Sequence, residues 1–366
     1  MKIKKVVAMG AALGVALAGI ALAAPASAEP VSSSYVLVGS DTLQDVSNAL
    51  SNGTTISGSN VRVVAGGANI ASFDAFGSAV IQTKSNGPFF GRPGGSSAGV
   101  SALRASIKGT TYTPNATIPA RNVANQVDIA RSSSGPGSNA NSAGLLSYVP
   151  FARDAVSYAY NGTNSDLANL TTAQLKQIYE SNTPVTIGST VVKPRIPQGA
   201  SGTRSFFLGA IGVTTLGSTV GDSSANTTPE NDASVLAANE IIPFSAASWI
   251  AQSNNASGLN TIGTSNVKLG SINGIAPFTG TGTALAANSA FYSSSFGRDT
   301  YLVVEFARVN PSDAKYDVNL ANLVNASRAT SLTNNGTFSS TSGAVKLKFG
   351  FLAPSNLDPI RAYATL

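Results

Sequence analysis

One local pattern recurs in the first third of the chain and restricts what it can fold into. A short apolar stretch or glycine bend meets a loop of Ser, Thr and Gly, and a helical pattern often follows. Ser34-Tyr-Val-Leu-Val38 stops at Gly39-Ser-Asp-Thr42, after which Leu43, Val46, Ala49 and Leu50 share one helical face. Phe89-Phe-Gly-Arg-Pro-Gly-Gly-Ser-Ser-Ala-Gly-Val100 leads into a face of Val100, Leu103 and Ile107. Val127-Asp-Ile-Ala130 runs into Arg131-Ser-Ser-Ser-Gly-Pro-Gly137. Alternation of this kind predicts an α/β architecture, because each strand and helix must bury one apolar face against a neighbour. Ser40 or Asp41 is positioned to cap the first helix.

The same grammar continues downstream. Tyr148–Ala152 and Ala155–Tyr160 read as extended runs separated by Arg153-Asp154. Leu170 to Tyr179 reads as a helix, with Thr171 and Gln174 spaced as a capping box. Ile196-Pro-Gln-Gly-Ala-Ser-Gly-Thr-Arg-Ser-Phe-Phe-Leu-Gly-Ala-Ile-Gly212 places a Ser/Gly/Thr bend directly before an apolar helix. Asn231-Asp232 opens a short helical pattern, and Ser245 precedes a helix containing Trp249. Tyr301–Ala307 is a β run, Leu320–Val324 is helical, and Val345-Lys-Leu-Lys-Phe349 alternates as a half-buried strand. The polar segments 52–60, 109–120, 217–232, 253–270 and 329–343 read as loops.

Residues 1–28 have the layout of a cleaved signal peptide: Lys2, Lys4 and Lys5, an Ala/Gly-rich apolar run, then Ala26-Ser27-Ala28. They predict an exported protein, in the periplasm or at the cell surface, with no integral membrane segment after cleavage. The chain has no Cys and no His, which excludes a Ser-His-Asp triad, a Cys-His dyad and every His-ligated metal site. The formal charge is +6, of which the three leader lysines carry half. With only 11% charged residues, the mature chain lacks the electrostatic footprint of a nucleic-acid binder.

The Ser/Gly bends have a chemistry of their own. A helix start presents unpaired N–H groups and a partial positive charge, Gly admits a close ligand, and hydroxyls add donors. Each such dipole contact contributes about 0.3–1 kcal/mol, whereas micromolar affinity requires about 8 kcal/mol. Several loops must therefore converge, with an arginine among them. In open α/β sheets, loops of this type gather at the carboxyl ends of the strands.

In order and content, Gly39-Ser-Asp-Thr42, Gly95-Ser-Ser-Ala-Gly99, Asp128-Ile-Ala-Arg-Ser-Ser133, Val149-Pro-Phe-Ala-Arg-Asp154, Leu170–Tyr179 and Ala200-Ser-Gly-Thr-Arg204 resemble the PstS-like family, the extracytoplasmic phosphate-binding proteins of phosphate ABC importers. The resemblance covers most of residues 34–250. It implies a two-lobed type II periplasmic-binding-protein fold with a ligand cleft between the lobes. The expected division is lobe I from 29–152 plus 275–366 and lobe II from 153–274.

The resemblance also implies a set of ligand donors. These are Ser40 and Thr42 in the first loop, Ser97 in the second, and Ser132 or Ser133 in the third. Ser201, Gly202 and Thr203 come from the other lobe. The family's clamping arginine has its nearest match in Arg195. Pro197-Gln-Gly-Ala200 lengthens the spacing, which makes Arg204 the substitute. Relatives place an Asp where Ser133 stands, to accept the proton of a phosphate oxygen. Here Asp41 is the candidate acceptor, or else an N-cap.

The expected function is thus capture of a small oxyanion, phosphate first, for delivery to a membrane ABC permease, without cofactor, metal or catalysis. The alternatives are a secreted or surface protein that keeps the fold for sequestration or adhesion, and a metal-free phosphoester hydrolase.

Overall fold

The computed structural model describes residue 30 and residues 34–114, 117–221, 228–263 and 266–366. The expected leader lies outside them. Strand β1 spans Tyr35–Gly39 and is followed by helix α1, Gln44–Asn52, strand β2, Ile70–Ser72, helix α2, Ser96–Lys108, and strand β3, Ile129–Ser132. Strand β4 runs from Leu146 to Asn161; α3 is Thr172–Glu180, β5 Val185–Ile187, β6 Thr190–Pro194 and α4 Gly202–Ala210. Then come β7, Glu240–Ser245, α5, Ala246–Ser253, β8, Val267–Leu269, and β9, Gly297–Glu305. Helices α6, Val318–Leu323, and α7, Ser342–Lys348, precede β10, Ile360–Ala362.

The ten strands form one mixed sheet along the path β5-β6-β7-β4-β9-β3-β1-β2, with β8 and β10 also paired to β4. The expected α/β architecture is present. β4 is the spine. Its first part, to Ala155, pairs with β9, and its last part, from Val156, pairs with β7. The two extended runs anticipated on either side of Arg153-Asp154 are therefore a single strand, with a register shift between Pro150 and Ala152.

Three apolar clusters flank this sheet. Tyr35 and Leu37 face one cluster, with α1, α6 and Phe349; Val36 and Val38 face another, with Val100 and Leu103 of α2. That two-residue alternation is the side-chain period of a strand covered on both faces. The third cluster gathers the distal part of β4 with α3, Phe207 of α4, Ile241 and Trp249, and it includes Phe291, Tyr292 and Phe296. Along β4 the change of core falls between Ala152 and Ala155.

The capping box at Thr171 and Gln174 forms in full, and Ser245 caps α5. Several expectations change. Segment 253–270 contains β8, and 109–120 contains the short strand Thr111–Tyr112, paired with Arg121–Asn122. The β run expected to Ala307 ends at Glu305, and Phe306–Val309 is helical. Leu43, not Ser40 or Asp41, sits at the N-cap of α1, and no side chain caps it. Residues 231–236 form turns rather than a helix. Segment 52–60 contains a hairpin, Thr54–Ile56 with Ser59–Val61, turned at Ser57 and Gly58, both with positive φ. Val345–Phe349 belongs to a helix, not a strand, because Thr341 accepts a hydrogen bond from the Ala344 N–H and starts α7.

Candidate anion cradle

β1 and β3 lie side by side and parallel, so the bends after Gly39 and Ser132 emerge at one edge of the sheet. An isolated bridge between Gly39 and Gly94 brings the start of α2 to the same edge. The approach is close: a Cβ on Gly39, whose φ is +113°, would stand 2.6 Å from the Arg131 carbonyl oxygen. The start of α4 meets these loops from the opposite side. A Cβ on Gly202 would lie 2.4 Å from Ser133 Oγ and 2.6 Å from Ser96 Oγ. Ser97 donates to the Ala200 carbonyl, and Gln198 Nε2 donates to the Gly94 carbonyl at 3.2 Å. Bends expected from the sequence to converge do converge.

At the centre of the convergence lies a carboxylate of the chain itself. Glu230 Oε1 accepts from Thr42 Oγ1 at 2.8 Å, Ser40 Oγ at 3.1 Å and the Thr42 N–H at 3.4 Å. Its Oε2 accepts from Ser201 Oγ and, at 3.1 Å, from the Thr203 N–H. One oxygen is thus held by the loop after β1 and the other by the first turn of α4. Ser201 also caps α4, accepting from the Arg204 N–H at 2.9 Å. The Thr203 N–H is one of the amides that a helix start leaves unpaired, aimed where an anion is favoured. Glu230 is 1% exposed.

Behind the hydroxyls sits Arg298. It faces Asp154 across the β4–β9 ladder, and the two form a buried ion pair at 2.9 Å. Asp154 further accepts from Ser245 Oγ at 2.9 Å and the Ala247 N–H at 3.1 Å. Arg298 Nη2 also donates to Thr203 Oγ1 at 2.8 Å and Thr42 Oγ1 at 3.2 Å. Those hydroxyls are thereby oriented with their protons away from the guanidinium. Arg298 Nη1 is buried and makes no hydrogen bond among the described residues. The Phe206 ring lies 5.6 Å from the guanidinium carbon, within cation–π range.

The charges settle accordingly. Burial pushes the Glu230 carboxyl up, but the Asp41 side chain, the Arg298 charge and the Ser201 and Thr42 hydroxyls outweigh it and bring it down to about 2. Asp41 goes the other way, raised by burial and by the neighbouring Glu230 charge. Asp41 accepts the Thr42 N–H at 3.0 Å and the Glu230 N–H at 2.9 Å. The donors around Glu230 thus favour its ionised form, while burial and the Glu230 charge disfavour ionisation of Asp41.

Ser40, Asp41, Thr42, Ser133, Ser201, Gly202 and Thr203 are brought together and are buried. Ser97 is exposed. Its neighbour Ser96 takes the inner position, 3.0 Å from Ser133 Oγ and accepting the Ser133 N–H at 3.0 Å. Ser132 turns away to donate to the Ser134 carbonyl. Arg195 pairs with Glu240 at 3.1 Å and donates to the Val235 carbonyl, and Arg204 donates to the Pro197 carbonyl at 3.0 Å. The guanidinium bonded to the cradle hydroxyls is that of Arg298, a residue the sequence reading had not singled out. Arg131 is fully buried and bonds to Ser72 Oγ and to the Ser40 and Phe73 carbonyls.

Two surface hollows, of about 310 Å³ beside Phe89 and about 470 Å³ beside Tyr35 and Arg308, are lined by none of the cradle residues. Among the described residues no group of three His, Cys, Asp or Glu could hold a metal ion, and no helix is long and apolar enough to cross a membrane.

No family model matches the chain, and no curated protein does. Among solved structures, it is similar to an ABC-type phosphate transport receptor from Vibrio cholerae, with 17% identity over 87% of this chain and 100% of that one, and a TM-score of 0.48. It is similar to a phosphate binding protein from Stenotrophomonas maltophilia, with 12% identity over 88% of this chain and 91% of that one, and a TM-score of 0.48. It is also similar to a human phosphate binding apolipoprotein, with 14% identity over 88% and 92% and a TM-score of 0.47. These are likenesses of backbone path at low identity; what this chain binds is decided by its own residues.

Proposed function

We propose that this chain is an exported solute-binding protein that captures a small oxyanion, inorganic phosphate in the first instance, for delivery to a membrane ABC importer. The observation that carries the reading is the grip on the Glu230 carboxylate: five hydrogen bonds from two loops, backed by a buried arginine. A carboxylate and a phosphate present the same kind of acceptor oxygens. Donors that hold the first are chemically suited to the second, and Arg298 Nη1 is a further donor at hand. Ser40, Thr42, Ser201, Thr203 and Arg298 are the ligand-binding residues in this reading, with Gly202 giving room for the approach; Asp41, whose carboxyl is pushed towards its protonated form, fixes the loop by accepting the Thr42 and Glu230 N–H groups. The two lobes divide along β4 and close over the ligand. No step of this role is catalytic.

Equilibrium dialysis with radiolabelled phosphate tests it. One phosphate should bind per chain, and Arg298→Met should weaken binding about tenfold to a hundredfold, as expected for a charged hydrogen bond worth about 1.5–3 kcal/mol. Absence of bound phosphate and of bound sulfate at millimolar concentration would contradict it.

A further inference from the structure

We infer that Glu230 is a resident anion of the cradle, an internal competitor that any captured oxyanion must displace, so that this side chain sets the affinity of the site. The inference rests on the oxyanion-binding role proposed above and adds its regulation.

The geometry separates Glu230 from an ordinary buried acid. Its two oxygens take donors from loops 40–42 and 201–203, which approach from opposite sides of the cleft. Among the described residues no lysine or arginine bonds to it directly; the charge behind it is Arg298, reached through the hydroxyls of Thr42 and Thr203. The hydroxyls and amides that an incoming phosphate would use are already engaged. Two negatively charged groups cannot share them, because like charges at hydrogen-bonding distance repel strongly in a low-dielectric site.

The backbone around Glu230 is anchored on both sides. The Thr228 carbonyl accepts the Gln198 N–H at 3.0 Å, and the Asn231 carbonyl accepts from Gln252 Nε2 and Thr261 Oγ1, each at 3.0 Å. The carboxylate is thereby tethered at high effective concentration, and release is a matter of the side chain swinging out. The titratable and charged groups facing it are Asp41 on the loop after β1, pushed towards its neutral form, and Arg298 on β9, paired with Asp154 of β4. Arg298 Nη1, buried and unbonded among the described residues, is a donor that Glu230 leaves unused.

The experiment is a calorimetric titration of phosphate, and in parallel of sulfate, into the wild-type protein, Glu230→Ala and Glu230→Gln. Phosphate should bind both variants at least tenfold more tightly than the wild type, and the thermal stabilisation it gives should be larger in the variants. Equal phosphate affinity in all three proteins would overturn the competitor and leave the oxyanion site standing. No oxyanion binding by any of the three, with their circular dichroism unchanged, would overturn the site and the competitor together. If neither variant folds, the wild type labelled with ¹³C at glutamate carboxyls decides. The Glu230 resonance should move towards that of a solvated carboxylate as phosphate saturates, and an unmoved resonance alongside bound phosphate would refute the displacement.

Discussion

At the residue scale, the cradle was legible where its chemistry is local. Ser201-Gly-Thr203 before an apolar run announces a helix start with unpaired amides, and Gly39-Ser-Asp-Thr42 announces a bend after a strand. Arg298 and Glu230 were not legible for a different reason. Their roles depend on partners far away in sequence: Arg298 meets Thr42 across 256 positions and Glu230 meets it across 188. No spacing rule reaches that far. The Asp154–Arg298 pair carries a consequence for stability. Asp154→Ala would leave the guanidinium buried without its carboxylate, and breaking a buried pair costs about 3–5 kcal/mol; urea denaturation of the variant should show a loss in that range. Glu230 has a linked pH signature. Its folded pKa lies below the unfolded value, so its stabilising contribution is full above the unfolded pKa and is lost as pH falls through about 2. The stability difference between wild type and Glu230→Gln should therefore shrink as urea melts are repeated from pH 6 down towards pH 2. A difference that stays constant would mean that the carboxylate is not held ionised.

At the element scale, two of the caps formed as read, the cap of α1 did not, and one period was misread. The capping box of α3 and the Ser245 cap rest on two or three residues and formed as expected. The Val345–Phe349 run failed because five residues fit both templates: Val345, Leu347 and Phe349 alternate, while Val345 and Phe349 also sit four apart on one helical face. The Thr341 cap decides in favour of the helix, and Lys346, which a strand would have turned to solvent, is buried against the Phe151 carbonyl. Ser96 and Ser97 illustrate the same limit, since a loop before a helix does not reveal which of two serines turns inward. Helix α4 offers a paired test. Gly209 has open space for a Cβ, whereas Gly202 has Ser133 and Ser96 within 2.6 Å of one. Gly209→Ala should stabilise the protein by about 0.5–1 kcal/mol through helix propensity. Gly202→Ala should destabilise it and weaken phosphate binding. Thermal melts and dialysis on the two variants check this, and equal behaviour would mean that the start of α4 does not pack against the opposing loops.

At the scale of the whole molecule, the sequence conveyed the α/β class because strand–loop–helix alternation is a short-range signal. The continuity of β4 through both parts of the sheet was hidden by the charged pair Arg153-Asp154, which looks like a break. In fact Asp154 is buried at the point where β4 changes partner from β9 to β7. Glu230 also joins the loop after β1 to the start of α4, so under the proposed two-lobed reading it should hold the wild type closed without ligand. Small-angle scattering should find a larger radius of gyration in phosphate-free Glu230→Ala than in the wild type, and phosphate should restore the smaller value. The most direct test is the crystal structure of Glu230→Ala grown in phosphate. The account predicts a tetrahedral anion bonded to Thr42, Ser201, Thr203 and Arg298, in the position the Glu230 carboxylate occupies in the wild type. An empty or collapsed cradle there, with phosphate elsewhere or absent, would contradict it.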